Sequence, residues 1–295
     1  MKILVIGATG QLGSDLVTEL SEDHEVVKLA SHVRVEDYTK LIMHFRIIKP
    51  DLVLNTAAFL NVPICEVSGV KAFEVNAIGA LNVAKACNMV NCINVYYSTD
   101  YVFDGEIDDD FKGDGYTEYF RVNPLNVYGM SKLVGEQFTR EYSPKHYILR
   151  VSGIYGINPC RGKNDTNFII NFLKNIKHID VIKVVDDEIL TPTSTKAIAK
   201  QTKLICKHLP KIGLYHVTDQ GQCSWYEFAK EICNILNINK TIIPIQIREG
   251  NTNILRRPAF SVLDNYNLRF RHLDVMPAWK EDLNNFLQKY GDRFI

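Results

Sequence analysis

The sequence has no net charge: 34 Lys and Arg are matched by 34 Asp and Glu among 295 residues. It therefore offers no overall electrostatic footprint for nucleic acid or an anionic membrane, although a local basic pocket can still hold a phosphate. No apolar run approaches bilayer-spanning length, and the opening run Lys2 to Ile6 is too short for a secretory leader. The seven cysteines, at 65, 87, 92, 160, 206, 223 and 233, are odd in number and lack C-x-x-C spacing, which argues against a disulfide framework or a zinc site. Buried, reduced thiols in a cytoplasmic protein are the expectation. The eight histidines form no ligand cluster and no H-x-x-x-H helix, so metallohydrolase chemistry has no support. Trp225 and Trp279, the only tryptophans, fall in helical patterns with apolar neighbours and read as packing residues.

What remains is an ordinary globular composition, 46% hydrophobic and 23% charged, in a chain long enough for one large domain with a smaller lobe. Short apolar runs at Ile3 to Ile6, Glu25 to Leu29, Leu52 to Asn55, Asn94 to Ser98 and Tyr147 to Val151 read as strands. Helical spacing fills the gaps, with Asp37 as an N-cap before Leu41 to Ile48, then Val67 to Val90 and Tyr128 to Tyr142. This alternation predicts an α/β fold: a Rossmann-type, doubly wound parallel sheet covered on both faces. Beyond residue 157 the rhythm loosens, with helices expected near Asn167 to Ile176, Ser194 to His208, Trp225 to Leu236 and Pro277 to Tyr290 and a strand at Leu214 to Val217. The expected division is a dinucleotide-binding core over 1–157, with 193–217 returning to it. An interleaved C-terminal substrate-binding lobe then takes 158–192 and 218–295.

Directly after the first strand comes Gly7-Ala-Thr-Gly10-Gln-Leu-Gly13, opening a helix. Gly7 and Gly10 permit a tight turn whose backbone N–H groups approach a pyrophosphate, and Gly13 lets helix and strand pack closely. After the second strand, Val27-Lys-Leu-Ala-Ser31-His32 has no acid to meet an adenosine 2′-hydroxyl, which leaves NADPH and NADH both open. Tyr128 and Lys132 stand four apart, on one face of their helix, and Ser98 and Thr99 end the strand before it. A lysine cation favours a nearby phenolate, drawing a phenol from its usual pKa of about 10 toward neutrality. Asp108 to Asp110 reads as a solvated acidic loop, and Arg256 and Arg257 as a candidate diphosphate clamp.

Together, Gly7-x-x-Gly10-x-x-Gly13, Asn55-Thr-Ala57-Ala58, Tyr97-Ser-Thr99-Asp100 and Tyr128-x-x-x-Lys132 resemble the extended short-chain dehydrogenase/reductase superfamily. Within it, Ser98-Thr-Asp-Tyr-Val-Phe-Asp-Gly105, Pro124-Leu-Asn-Val-Tyr-Gly129 and Arg256-Arg-Pro258 look most like the dTDP-4-dehydrorhamnose reductases. The resemblance implies NAD(P)H-dependent reduction of the 4-keto group of a nucleotide-linked 6-deoxyhexose, with dTDP-4-dehydro-L-rhamnose to dTDP-L-rhamnose as the leading case. It implies a catalytic set of Thr99, Tyr128 and Lys132. The dinucleotide would lie around Gly7, Gly10, Gln11, Leu12, Gly13, Arg34, Val35, Ala58, Phe59, Leu60, Tyr128 and Lys132, and the substrate against Thr99, Asp100 and Arg257. The alternatives are a nucleotide-sugar epimerase and a non-catalytic regulatory subunit resembling that of methionine adenosyltransferase. Tyr101, where dehydratases carry a second acid, argues against dehydration. Two departures stand out: Gly153 occupies a place where many members stack a Trp on the sugar, and Lys196 one where an acidic magnesium ligand is expected. No metal, nucleic acid or membrane partner is therefore predicted, and a homodimer is left open.

Overall fold

The computed structural model describes residues 1–107, 114–158, 160, 162, 165–246 and 255–294, so the acidic run at 108–110 lies outside the described residues. In chain order the first half runs β1 (Lys2–Ile6), α1 (Gln11–Leu20), β2 (Glu25–Lys28), α2 (Tyr38–Ile48) and β3 (Leu52–Asn55). It continues through α3 (Val62–Val67), α4 (Gly69–Phe73), a π-turn at Glu74–Ile78, α5 (Gly79–Val90), β4 (Ile93–Thr99), α6 (Val127–Tyr142) and β5 (His146–Val151). The second half comprises β6 (Ile154–Tyr155), α7 (Phe168–Ile176), β7 (Val181–Val185), β8 (Ile189–Leu190), β9 (Thr193–Ser194), α8 (Thr195–His208) and β10 (Gly213–His216). Last come β11 (Cys223–Ser224), α9 (Trp225–Ile235), β12 (Thr241–Ile245), α10 (Tyr266–Phe270) and α11 (Trp279–Tyr290).

Six strands, ordered β10-β5-β4-β3-β1-β2 and all parallel, form the central sheet. Strand order reverses between β1 and β3, so a crevice opens at the carboxyl ends of these strands, where α/β sheets bind ligands. One face is packed by Leu12, Leu16 and Leu20 of α1 with Ala197, Ile198 and Ile205 of α8. On the other, Leu41 and Phe45 of α2 meet Val83 and Ala86 of α5. A separate apolar core, built from Ile169, Phe172, Phe228, Ile232, Trp279, Leu283 and Phe286, joins α7, α9 and α11. Both tryptophans pack there, Trp225 stacking on Phe168 at 4.6 Å. All seven cysteines are buried.

Several local signals in the sequence act as written. Asp37, Asn167, Ser194 and Ser224 each accept a backbone N–H at the start of a helix, and Ser224 with Glu227 completes a capping box. The span expected as one helix over Val67 to Val90 is interrupted. Ser68 leaves helical geometry and Glu74–Ile78 widens to a π-turn, which aims Asn76 inward.

The outer edge of β10 is dressed by side chains. The His216 N–H donates to Glu118 at 2.9 Å, Asn267 Nδ2 donates to the Leu214 carbonyl at 3.0 Å, and Asn265 pairs with both the N–H and the C=O of Thr218. Glu118 also accepts from the Asn267 N–H. Burial pushes its carboxyl up to about 7 from the ordinary 4.5, outweighing these donors. Between those two values the folded chain holds a proton that the unfolded chain releases, so stability falls as pH rises through that window. The loss should reach about 3 kcal/mol by pH 8. Glu118→Gln should remove that slope, and melting curves of the two proteins that stay parallel from pH 5 to 8 would refute the assignment.

Candidate active site

The turn after β1 has no room for side chains. Gly7 adopts φ +77°, and a Cβ on Gly13 would lie 2.1 Å from the Gly7 carbonyl oxygen. The Gly10 N–H closes the turn on Gly7 O at 2.9 Å, and Gly10 then caps α1 without a side chain, leaving the helix N-terminus open to an anion. This cradle, which a Cβ would fill, fits a dinucleotide pyrophosphate. Gln11 and Leu12 are buried rather than free to reach out: Gln11 Nε2 donates to Ile154 O at 3.2 Å, and Leu12 packs in the core beneath the sheet. Val35 is buried against Gly79, whereas Arg34 is exposed and sits 3.6 Å from Glu36, which Lys71 also binds at 2.8 Å.

Ala58, Phe59 and Leu60 follow β3 on the same rim. Asn76, unweighed in the sequence, pins this loop as a neighbouring strand would: its Oδ1 accepts from Phe59 N at 2.8 Å and its Nδ2 donates to Phe59 O at 2.9 Å. The same amide reaches Ser131 of α6 at 2.9 Å, tying the loop after β3 to the helix that carries Tyr128. An uncompensated Asn on the apolar side of a helical pattern is the signal that could have marked it.

Helix α6 begins at Asn126, whose Oδ1 accepts from Gly129 N and whose Nδ2 donates to Arg256 O, both at 2.9 Å. Glu66 of α3 caps Val127 N at 2.7 Å. Gly129 lets the helix close on the loop after β4, since a Cβ there would meet the Tyr101 carbonyl oxygen at 2.2 Å. These contacts bring Tyr128 to the end of β4. Its phenol lies beside the Thr99 hydroxyl, close enough to interact with it, and its ring meets Tyr101 edge-on at 5.8 Å. Thr99 donates to Asp100 at 3.0 Å, and Ser152 donates to the second Asp100 oxygen at 2.9 Å. Burial pushes the Asp100 carboxyl up, against the hydrogen bonds from Ser261, Ser152 and Thr99. The Tyr101 phenol feels Arg257 and Glu188, which face each other at 3.7 Å, so Arg257 belongs to the same neighbourhood.

Lys132 is 2% exposed. Its Nζ donates to the Tyr97 carbonyl at 2.6 Å and lies 4.1 Å over the Tyr96 ring. Burial draws its ammonium down to about 7, while Glu136 acts in the opposite direction. The expectation that Lys132 draws the phenol toward neutrality is corrected here. Burial pushes Tyr128 above its ordinary value and Thr99 only partly offsets it. A phenol so placed stays protonated at neutral pH and can act as a proton donor.

Gly153 adopts φ +51°, and a Cβ there would lie 2.6 Å from Leu190 Cδ1. A larger side chain here would have to displace the end of Leu190 and hold a left-handed backbone, so glycine suits this turn. Asp15 accepts from Thr195 Oγ1 at 2.5 Å and senses Lys196. No group of three or more His, Cys, Asp or Glu among the described residues could hold a metal. A depression of about 700 Å³ lined by Arg46, Lys49, Asp51, Asn91 and Lys145 lies at the opposite, amino ends of β3 to β5, away from this chemistry.

Known proteins repeat both the sequence and this architecture. The chain is 33% identical to the dTDP-4-dehydrorhamnose reductase of Aggregatibacter actinomycetemcomitans, covering 96% of this chain and 97% of that one. It is 34% identical to the spore coat polysaccharide biosynthesis protein SpsK of Bacillus subtilis, covering 98% and 97%. Among solved structures, a dTDP-4-dehydrorhamnose reductase from Clostridium acetobutylicum superposes with TM-score 0.90 at 35% identity, covering 99% of this chain and 100% of that one. The dTDP-4-dehydrorhamnose reductase of Bacillus anthracis, solved in complex with NADP, superposes with TM-score 0.88 at 32% identity, covering 98% and 99%. With its glycine turn and its Thr99, Tyr128 and Lys132 set at the carboxyl end of the sheet, and matched over residues 1–291, the chain belongs to the RmlD substrate-binding domain family.

Proposed function

We propose that this protein reduces the 4-keto group of a dTDP-linked 6-deoxyhexose with NADPH or NADH, dTDP-4-dehydro-L-rhamnose being the leading substrate. The observation that carries the reading is the placement of Tyr128 beside Thr99 at the end of β4, with Lys132 on the same helix face and the glycine cradle across the crevice. When bound, the reduced nicotinamide supplies the hydride. Gly7, Gly10 and Gly13 would seat the pyrophosphate, with Arg34, Val35, Ala58, Phe59 and Leu60 along the adenosine and ribose side. Gln11 and Leu12 support that turn from below. Thr99 orients the carbonyl, and Tyr128 donates the proton from its hydroxyl to the developing alkoxide. Lys132 stabilises the charge that this transfer leaves behind. Arg34, exposed beside Glu36, is placed to meet a 2′-phosphate without excluding its absence, so both cofactors fit.

In this reading, 1–157 with 193–217 binds the dinucleotide, and 158–192 with 218–295 closes on the nucleotide sugar. Residues 255–258 are anchored at the N-terminus of α6 through Asn126 and Arg256. That anchorage supports a role for Arg257 in gripping the diphosphate. Since such a contact exists in ground and transition states alike, Arg257→Ala should raise KM by about tenfold with kcat little changed. Unchanged KM with a collapsed kcat would assign Arg257 elsewhere. The deciding experiment is a spectrophotometric screen of NADH and NADPH oxidation against dTDP-, UDP- and GDP-linked 4-keto-6-deoxy sugars. Oxidation with the dTDP sugar is expected; none with any sugar would discard the reading and favour a regulatory subunit.

A further inference from the structure

Helix α6 is fastened to β4 by two adjacent contacts. Lys132 donates to the Tyr97 carbonyl at 2.6 Å, and the next residue, Ser98, donates its hydroxyl to Glu136 at 2.5 Å. Lys132 and Glu136 are one helical turn apart and so point to the same face. Glu136 is 0% exposed and is gripped from β5 by Arg150, whose Nε and Nη2 reach its two carboxylate oxygens at 2.8 and 2.7 Å. This planar fork fixes the carboxylate in one orientation. Gly135 brings the helix close enough for these contacts, since a Cβ there would lie 2.3 Å from the Tyr96 hydroxyl.

The groups around Lys132 are few and named. On α6 they are Tyr128 and Glu136; on β4, the Tyr96 ring and the Tyr97 carbonyl; behind Glu136 stand Arg150 of β5 and His216 of β10, 3.5 Å apart. Asp100 lies beyond, interacting with Tyr128. Burial works against an ammonium here, and Glu136 is the carboxylate that offsets it. The proton of His216 does not add to the problem, because burial and Arg150 keep its imidazole neutral.

The geometry points to Glu136 as a positioning residue: clamped by Ser98 and Arg150, it holds β4 against α6 so that Lys132 is seated under the Tyr97 carbonyl, and it places a carboxylate one turn from that lysine where little water reaches. The inference rests on the reading of Lys132 as a working residue of a 4-ketoreductase. Glu136 itself touches neither sugar nor dinucleotide and acts through Lys132.

Glu136→Gln keeps the size and an acceptor oxygen for Ser98 while removing the charge. In protein labelled with 13C at lysine Cε, with the Lys132 signal assigned by its absence in Lys132→Met, the Lys132 titration should move down by about one pH unit. The alkaline limb of kcat should follow by the same amount, with KM for the nucleotide sugar unchanged. Should loss of one partner of the buried pair prevent folding, the double variant Glu136→Met with Arg150→Met removes both charges with similar volume, a change that buried ion pairs often tolerate. A smaller downward titration is expected there, because losing the Arg150 cation offsets part of the loss of the nearer carboxylate. A Lys132 titration that stays in place in either folded variant overturns the proposal. The titration needs no substrate, so a downward shift alongside a wild-type protein inert to every 4-keto sugar would refute the ketoreductase reading and leave the coupling of Glu136 to Lys132 standing.

Discussion

Replacing Tyr128 by Phe should lower kcat by about 100- to 10,000-fold while cofactor affinity stays near that of the parent protein. The substitution removes one oxygen and keeps the ring that meets Tyr101 edge-on. It also leaves Thr99 its bond to Asp100, so the site should remain assembled. What disappears is the proton donor. Because burial holds the phenol above its ordinary pKa, Tyr128 is in its donating form throughout the neutral range and should impose no limb of its own on the pH profile there. Single-turnover measurement with a 4-keto sugar isolates this step from product release. A Tyr128→Phe protein with an undiminished single-turnover rate would remove Tyr128 from the mechanism.

Lys132→Met should separate activity from stability, with the two moving in opposite directions. Lys132 is buried, and its ammonium falls from the ordinary 10.5 to about 7 in the fold. Between those values the unfolded chain binds a proton that the folded chain lacks, so the fold gains stability as pH rises from about 7 to 10.5. Below that window the buried charge costs up to about 5 kcal/mol, which a methionine of similar length does not. At pH 7 the variant should therefore melt no lower than the parent, and the parent should gain on it toward pH 9.5. Its kcat should nevertheless fall by about a thousandfold or more, with weaker cofactor binding, since charge stabilisation and the ribose contact are lost together. An active variant, or one that melts lower with a gap that is constant in pH, would contradict this account.

Much of the fold could be read locally. The six strands of the main sheet announce themselves as short apolar runs, and Asp37, Asn167, Ser194 and Ser224 cap their helices through contacts three residues away. What escaped were elements defined by distant partners. Strands β7 and β12 make a parallel pair across nearly sixty residues of chain, and their half-exposed faces give no clean alternation. The break at Ser68 was invisible because α3, α4, the π-turn and α5 share one helical apolar spacing. At the site, the spacing of Tyr128 and Lys132 and the placement of Thr99 are properties of one helix and one strand end, so sequence sufficed. The sign of the phenol shift was not legible, because it depends on burial, which the sequence does not state. Nor was the loop clamp of Asn76, whose partners come from the loop after β3 and from α6.

The side chains along β10 have a bearing on how this molecule behaves at high concentration. A parallel sheet ending in bare N–H and C=O groups is a template for another chain to lie down beside it. Here Asn265 occupies both backbone groups of Thr218, while Glu118 takes the His216 N–H and Asn267 the Leu214 carbonyl. An incoming strand would have to displace carboxyl and amide partners already in place, so three side chains close this edge to growth of the sheet. Removing them would reopen that edge to a neighbouring strand.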